Sequence, residues 1–420
     1  TLSLHDALPI LKARWLPLLL VVLTSLAAAP LAAAEFRIST NDREKGVGPA
    51  AAIWADGSFI AAWSTPSGLF TRAFLPGGAP RRTDRALISN VLLPSIPGEG
   101  NTVSHKDPTL IATAGGYVLA WIQEIAFVRA EAFSETRTLL SRDVYAVRLN
   151  PRGEQIGNAV RMSQADGFAA QPRGLRLGNQ VALVWSNGVK EDATGNTGIF
   201  LRTIDASGAL GAEKKLTAPL AFAENPAIAA DRTGGFLLVF DAPDADGRGI
   251  FARRIDPNGV ARGAAIQVNS STAGSQARAT VAQAASGEFL VLWQGQFETS
   301  RQTRIYSRRL NANGGVVGSE IQVTASTQPW HLAPSVVFRG NVPVLHYLEW
   351  TRNFPLGLMS VNLAADGSRL GEAARSNQRK LGASSRFGAT TSSRGELLLV
   401  WEGFNGDPKS GIAGSLLPPQ

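Results

Sequence analysis

A glycine followed by a short apolar run ending in an aromatic residue recurs along the chain. It reads "GSFIAAW" to Trp63, "GYVLAW" to Trp121, "GNQVALVW" to Trp185, "GGFLLVF" to Phe240, "GEFLVLW" to Trp293, "GNVPVLHY" to Tyr347 and "GELLLVW" to Trp401. Successive aromatic positions lie 58, 64, 55, 53, 54 and 54 residues apart. The near-continuous apolar character of each run suits a strand covered on both faces by neighbouring sheets. Helical spacing of apolar residues is missing outside the N-terminal segment. A period in this range, with several short strands per unit, predicts an all-β fold: a seven-bladed β-propeller with four-stranded antiparallel blades.

Four strands fit each unit. The first opens near a proline, as in "DPTLIATA" (107–114), "NPAIAAD" (225–231) and "APSVVF" (333–338), and the second is the apolar run. The third reads "VYAVRL", "GIFLRTI", "GIFARRI" or "RIYSRRL". A turn such as Asp256-Pro257-Asn258-Gly259 follows, where proline presets φ and Asn-Gly accepts the positive φ of a tight hairpin. The fourth strand is "AAIQV" or "SEIQV". The last unit stops at "SGIAGSLLPPQ", a third strand with no fourth, while "EFRISTN" at 35–41 resembles the fourth-strand segment "AIQVNSS". Residues 36–40 are therefore expected to pair with 411–417, closing the ring and removing exposed sheet edges.

In these units the chain resembles, over residues 35–420, secreted bacterial proteins built from repeats of about fifty residues with a GIxARRxDxxGxxxG core. The resemblance implies a propeller-like repeat and leaves activity open. The terminal Trp-Asp pair of WD40 blades, the Tyr-Trp-Thr-Asp motif and the Ser-x-Asp-x-Gly-x-Thr-Trp box of sialidases do not occur, so the resemblance lends no residue-level support to an enzyme of those families.

Composition narrows the picture. With no cysteine in 420 residues there is no disulfide framework, thiol nucleophile or thiolate metal site. The net charge of +8 comes mostly from scattered arginines, whereas nucleic-acid binders gather their charge on one face or tail; no nucleic-acid partner is expected. Residues 11–34 carry Lys12 and Arg14, an apolar run and Ala32-Ala33-Ala34, the pattern of a signal peptide for a secreted or periplasmic protein. A membrane anchor is the alternative, but Pro30 and the alanine-rich second half argue against it. Residues 1–10, "TLSLHDALPI", resemble a translated sequencing-adapter tail and are read as non-native. This leaves 35–420 as one domain, expected to be monomeric.

Candidate chemistry is positional. In propellers, ligands gather where second strands end and first strands begin. Ser64, Gln123, Glu124, Ser186, Asn187, Asp241, Gln294, Glu349 and Glu402 follow the second strands, and His105, Asp107, Glu224, Gln276, His331 and Arg386 precede the first strands. Two carboxylates among Asp241, Glu349 and Glu402 could do glycosidic acid–base work if suitably spaced. Glu124, His105, His331, Trp330 and Trp350 are candidate ligand contacts, the two tryptophans because they fall outside the repeated aromatic slot. The repeated aromatics themselves read as core, and the third-strand arginines, Arg72, Arg148, Arg202, Arg253, Arg254, Arg308 and Arg309, as structural stems laid on a neighbouring blade. Asp241, Asp244 and Asp246 in "DAPDADGRG" could bind calcium, but equivalent loops keep the glycine and vary the acids, so no cofactor is expected. Segments 88–106 and 124–143 read as long loops; Ile125, Phe127, Val128 and Phe133 in the second could cover the channel or dock a partner. The expected role is binding of a protein partner or surface glycan, with a carbohydrate-active hydrolase or lyase, and a structural repeat protein without ligand, as alternatives.

Overall fold

The computed structural model describes residues 34–40, 44–96, 99–130, 135–164, 167–188, 197–296, 303–324, 330–351, 355–378, 381, 386–403 and 411–419. Among them the only helical turn is the 3-10 segment Pro76–Gly78. No helix of the described residues is long and apolar enough to cross a membrane. The adapter-like residues 1–10 and the signal segment up to 33 lie outside the described residues.

The chain folds as successive antiparallel units, numbered here in chain order. Unit 1 is Val47–Ile53, Phe59–Thr65, Gly68–Phe74 and Arg85–Ser89. Unit 2 is Glu99–Thr113, Gly116–Ala130, Glu135–Leu149 and Gln155–Arg161, with Val91–Ile96 added on its first strand. Unit 3 is Phe168–Leu177, Gln180–Gly188, Gly198–Asp205 and the short Lys214–Lys215. Units 4 and 5 comprise Glu224–Ala230, Phe236–Asp244, Gly247–Ile255, Ala261–Gln267, and Gly274–Gln283, Phe289–Gln296, Thr303–Leu310, Val316–Gln322. Unit 6 is Trp330–Arg339, Val342–Trp350, Pro355–Leu363 and Arg369–Arg375. Unit 7 has Phe387–Thr391, Leu397–Glu402 and Ile412–Leu417, and its outer strand is Glu35–Arg37 from the other end of the sequence, in register Glu35↔Ser415 to Arg37↔Ala413.

The core lies between units. Trp63, Trp121, Trp185, Phe240, Trp293, Tyr347 and Trp401 are all buried. In units 1 to 5 each stacks on its cross-strand partner from the third strand, as Trp63 on Phe70 at 6.2 Å and Phe240 on Phe251 at 6.0 Å. Such pairs contribute about 0.5–1.5 kcal/mol beyond area burial. One apolar cluster joins Ile122 of unit 2 to Trp185 of unit 3, and others continue from unit to unit. Another joins Leu398 and Val400 of unit 7 to Phe59 and Trp63 of unit 1.

A repeated clasp fixes the outer strands of units 2 to 5. The strand runs into a buried residue and then a small polar one: Met162-Ser163, Leu216-Thr217, Val268-Asn269 and Val323-Thr324. The first donates its N–H to a buried residue of the third strand, as Val268 to the Ile250 carbonyl at 2.7 Å. The polar side chain accepts that residue's N–H, as Asn269 from Ile250 at 2.7 Å and Thr324 from Ile305 at 3.0 Å. Ile38-Ser39 does the same to Ile412, with the Ser39 hydroxyl accepting at 2.8 Å. Arginines extend the pattern across units. Arg253 reaches the Leu216 carbonyl and Arg308 the Val268 carbonyl, each at 2.8 Å, while Arg72 reaches that of Ile38 at 2.8 Å. The third-strand arginines at this position are thus interunit ties, gripping the preceding unit.

Candidate functional site

The first strands share a feature that the sequence reading missed. Each of units 1 to 6 carries a β-bulge opposite the buried aromatic of its second strand. The first bulge residue is left-handed: Gly48, Asp107, Gln171, Asn225, Arg278 or Ala333, with φ from 49 to 59°. The second is proline in five of these, Pro49, Pro108, Pro172, Pro226 and Pro334. A bulge leaves one residue outside the ladder, and its N–H still needs an acceptor.

The preceding unit supplies that acceptor. Gly48 N–H donates to Glu402 of unit 7 at 2.7 Å, Arg278 N–H to Asp241 of unit 4 at 3.1 Å, and Ala333 N–H to Gln294 of unit 5 at 3.2 Å. Between units 3 and 4 the Gln171 side chain accepts from Asn225 N–H at 2.9 Å and from the Ser186 hydroxyl at 3.1 Å. Two of the three candidate catalytic carboxylates, Asp241 and Glu402, are therefore buried struts between units. Asp241 also takes Arg248 Nε at 2.8 Å and Asn225 at 3.2 Å. Burial pushes its pKa above the ordinary carboxyl value, against the Arg248 charge.

Glu349 is placed differently. It sits opposite His331 in the sheet of unit 6, with Oε1 3.7 Å from His331 Nε2. His331 is buried edge-on against Tyr347 at 5.2 Å, and its Nδ1 has no hydrogen-bond partner. Trp330 and Trp350 are the next cross-strand pair outward, both half-buried, with the Trp350 indole N–H unpartnered. His105 occupies in unit 2 the slot that His331 fills in unit 6, two residues before the bulge, and lies against Trp121 at 6.3 Å. Its Nδ1 is 2.8 Å from the side-chain oxygen of Asn90. Burial lowers its pKa, with the Gln123 side chain pulling the other way. Ala169 and Ala223 fill the same buried slot in units 3 and 4, which makes it a packing position. These residues stand in strands that begin before the bulge, not in entry loops as expected.

The supposed aspartate loop is a tight hairpin in which Asp244 faces Gly247. Asp241 turns to Arg248 while Asp244 accepts from Gln267 at 3.1 Å, so the three acids do not converge. The described residues hold no group of three side chains able to grip a metal ion.

Segment 124–143 is likewise strand on both sides of residues 131–134, which lie outside the described residues and include Phe133. Gly116–Ala130 and Glu135–Leu149 pair from Tyr117↔Leu149 out to Ala130↔Glu135, and Glu99–Thr113 and Val91–Ile96 continue the sheet. The reason is cross-strand pairing: Phe127 meets Thr138 and Ile125 meets Ser141, so the apolar residues are held in a ladder. The extension carries this sheet past the bulge, as a wall on that end of the molecule.

Glu124 lies at the foot of the wall, on the sheet face that Ile122 packs towards unit 3. It is buried and takes Lys106 Nζ at 2.6 Å, Arg137 at 2.8 Å and Arg142 Nε at 2.8 Å. Burial opposes its charge, but the hydrogen bonds and the charges of Lys106 and Arg142 hold its pKa below the ordinary value. Nearby, Asp107 is ion-paired with Arg386. Arg173 follows the bulge proline of unit 3, where other units place Ala50, Thr109, Ala227, Thr280 and Ser335. Its side chain is reached by solvent yet surrounded by protein, which lowers its pKa; Asp107 opposes that effect and Arg386 adds to it. A cavity of about 240 Å³ lies elsewhere, between turns of units 6 and 7 lined by Phe338, Gly340 and Arg394. It is smaller than usual ligand pockets.

No family model matches the sequence, and no curated protein matches it. Solved structures do. A polysaccharide lyase, the PL25 ulvan lyase, superposes with a TM-score of 0.55 at 9% identity, covering 92% of this chain and 96% of that one. A protein of unknown function from Dyadobacter fermentans gives a TM-score of 0.52 at 15% identity, covering 92% and 98%. The shared property is the all-β, propeller-type fold over nearly the whole length.

Proposed function

We propose that residues 35–420 form an exported seven-bladed β-propeller that recognises a polysaccharide across the bulged end of its channel. The observation that carries this reading is the wall of unit 2, raised over that end beside partly exposed cations, on a scaffold shared over nearly its whole length with a polysaccharide lyase. The pairing of Glu35–Arg37 in unit 7 and the packing of unit 7 on unit 1 support closure of the ring. The unit periodicity supports the count of seven.

Cleavage of the bound chain is the second reading, favoured by the same fold likeness. Hydrolysis by Asp241 with Glu402 does not fit, because both carboxylates are consumed as amide acceptors between units. Glu349 beside His331 is the acid–base pair left for such chemistry. Incubating the protein with a panel of neutral and acidic polysaccharides, while following retention and the appearance of new chain ends, tests both readings. Retention supports recognition, and new ends that vanish in Glu349→Gln support cleavage. Asp241→Ala should instead lower stability by about 1–3 kcal/mol by leaving the Arg278 N–H of the next unit without its acceptor. The absence of both retention and release with every polysaccharide would overturn the proposal.

A further inference from the structure

We infer that the foot of the unit 2 wall is an anion site, built to hold the carboxylate or sulfate groups of an acidic polysaccharide. This inference rests on the polysaccharide reading above and names its substrate class. Three cations, Lys106, Arg137 and Arg142, converge on one carboxylate, Glu124. The carboxylate is 3% exposed, whereas the cations are 45, 42 and 38% exposed. One negative charge thus anchors three positive ones that still reach solvent. Lysine carries three donors and arginine five, so each keeps N–H groups beyond those spent on Glu124.

Ion pairs elsewhere are built otherwise. Arg254 meets Asp231 and Arg161 meets Asp143 as single pairs. A surplus of clustered, tethered cations costs self-repulsion unless an anion relieves it. Tethering also removes most of the side-chain entropy that binding would otherwise cost, and guanidinium groups match carboxylate and sulfate oxygens in geometry. Glu124 is a positioning residue in this scheme: it touches no ligand and sets the direction of the three cations.

The test measures binding of polygalacturonate, chondroitin sulfate, neutral arabinan and a DNA duplex to the intact protein at low and moderate salt. Wild type should bind an acidic polysaccharide and weaken with salt. Lys106→Gln/Arg137→Gln/Arg142→Gln should lose about tenfold or more in affinity, whereas Arg262→Gln, which removes an exposed charge from an outer strand, should not change it. Glu124→Gln separates positioning from net charge. It makes the patch more positive, so plain charge attraction predicts tighter binding, while the tether predicts weaker binding. Thermal melting of each variant checks that it remains folded, and sulfate-dependent stabilisation of the wild type, lost in the triple variant, reads the anion site without any sugar. Binding of arabinan alone would overturn the anion site and leave the polysaccharide reading standing. Sulfate stabilisation without binding of any polysaccharide would do the reverse. Tighter binding of DNA than of either acidic polysaccharide, or unchanged affinity in the triple variant, would overturn the inference.

Discussion

At the scale of single residues, the chain places polar groups where its repeat calls for apolar ones, and His346 is the sharpest case. Its equivalents in the other second strands are Ala62, Ala120, Val184, Val239, Leu292 and Val400. His346 is fully buried, with Nδ1 2.6 Å from the Ser360 hydroxyl and Nε2 unpartnered. Burial, helped by the Arg339 charge, pulls its pKa from 6.5 to about 3. Below pH 6.5 the unfolded chain takes up a proton that the folded chain refuses, so stability falls as the pH drops from 6.5 towards 3. The slope reaches at most about 1.4 kcal/mol per pH unit from this group. His346→Leu, which copies Leu292, should flatten the acid limb in urea unfolding followed against pH. Parallel profiles for the two proteins would show that His346 does not carry it.

At the scale of elements, the outer-strand clasp makes the N-terminal strand equivalent to the others. Ser39→Ala and Asn269→Ala each remove an acceptor from a buried N–H, at Ile412 and Ile250. Each should lower stability by about 1–3 kcal/mol, and chemical denaturation should give the two similar losses. A negligible loss for Ser39→Ala beside a full loss for Asn269→Ala would make the N-terminal strand an accessory. The pairing of 35–37 with 413–415 was legible because "EFRISTN" repeats the outer-strand pattern and the last unit lacks one. The bulge was hidden because the left-handed residue has no common side chain across Gly48, Asp107, Gln171, Asn225, Arg278 and Ala333. Only the proline after it recurs, and a recurrent proline reads as the start of a strand. A strand start at the proline makes His105 and His331 loop residues and leaves Asp241 and Glu402 without the bulge N–H groups that they and their neighbours serve. The wall of unit 2 was hidden for another reason: it departs from the period, and a departure reads as a loop until its cross-strand partners are known. The cations around Glu124 come from two strands and part of that insertion, so no sequence spacing announces them.

At the scale of the whole molecule, the two ends of the units differ in chemistry. One end carries short Asx-type turns, in which the side chain of Asp256 or Asn311 accepts the N–H groups two and four residues on. The other carries the bulges, the wall and the cations. Under the proposed function, ligand binds at the second end. Hydrogen–deuterium exchange with and without a bound acidic polysaccharide tests this most directly. Protection is expected in 99–110, 135–142 and 168–176, with the turns at 256–260 and 311–315 unchanged. Protection confined to those turns would contradict the account.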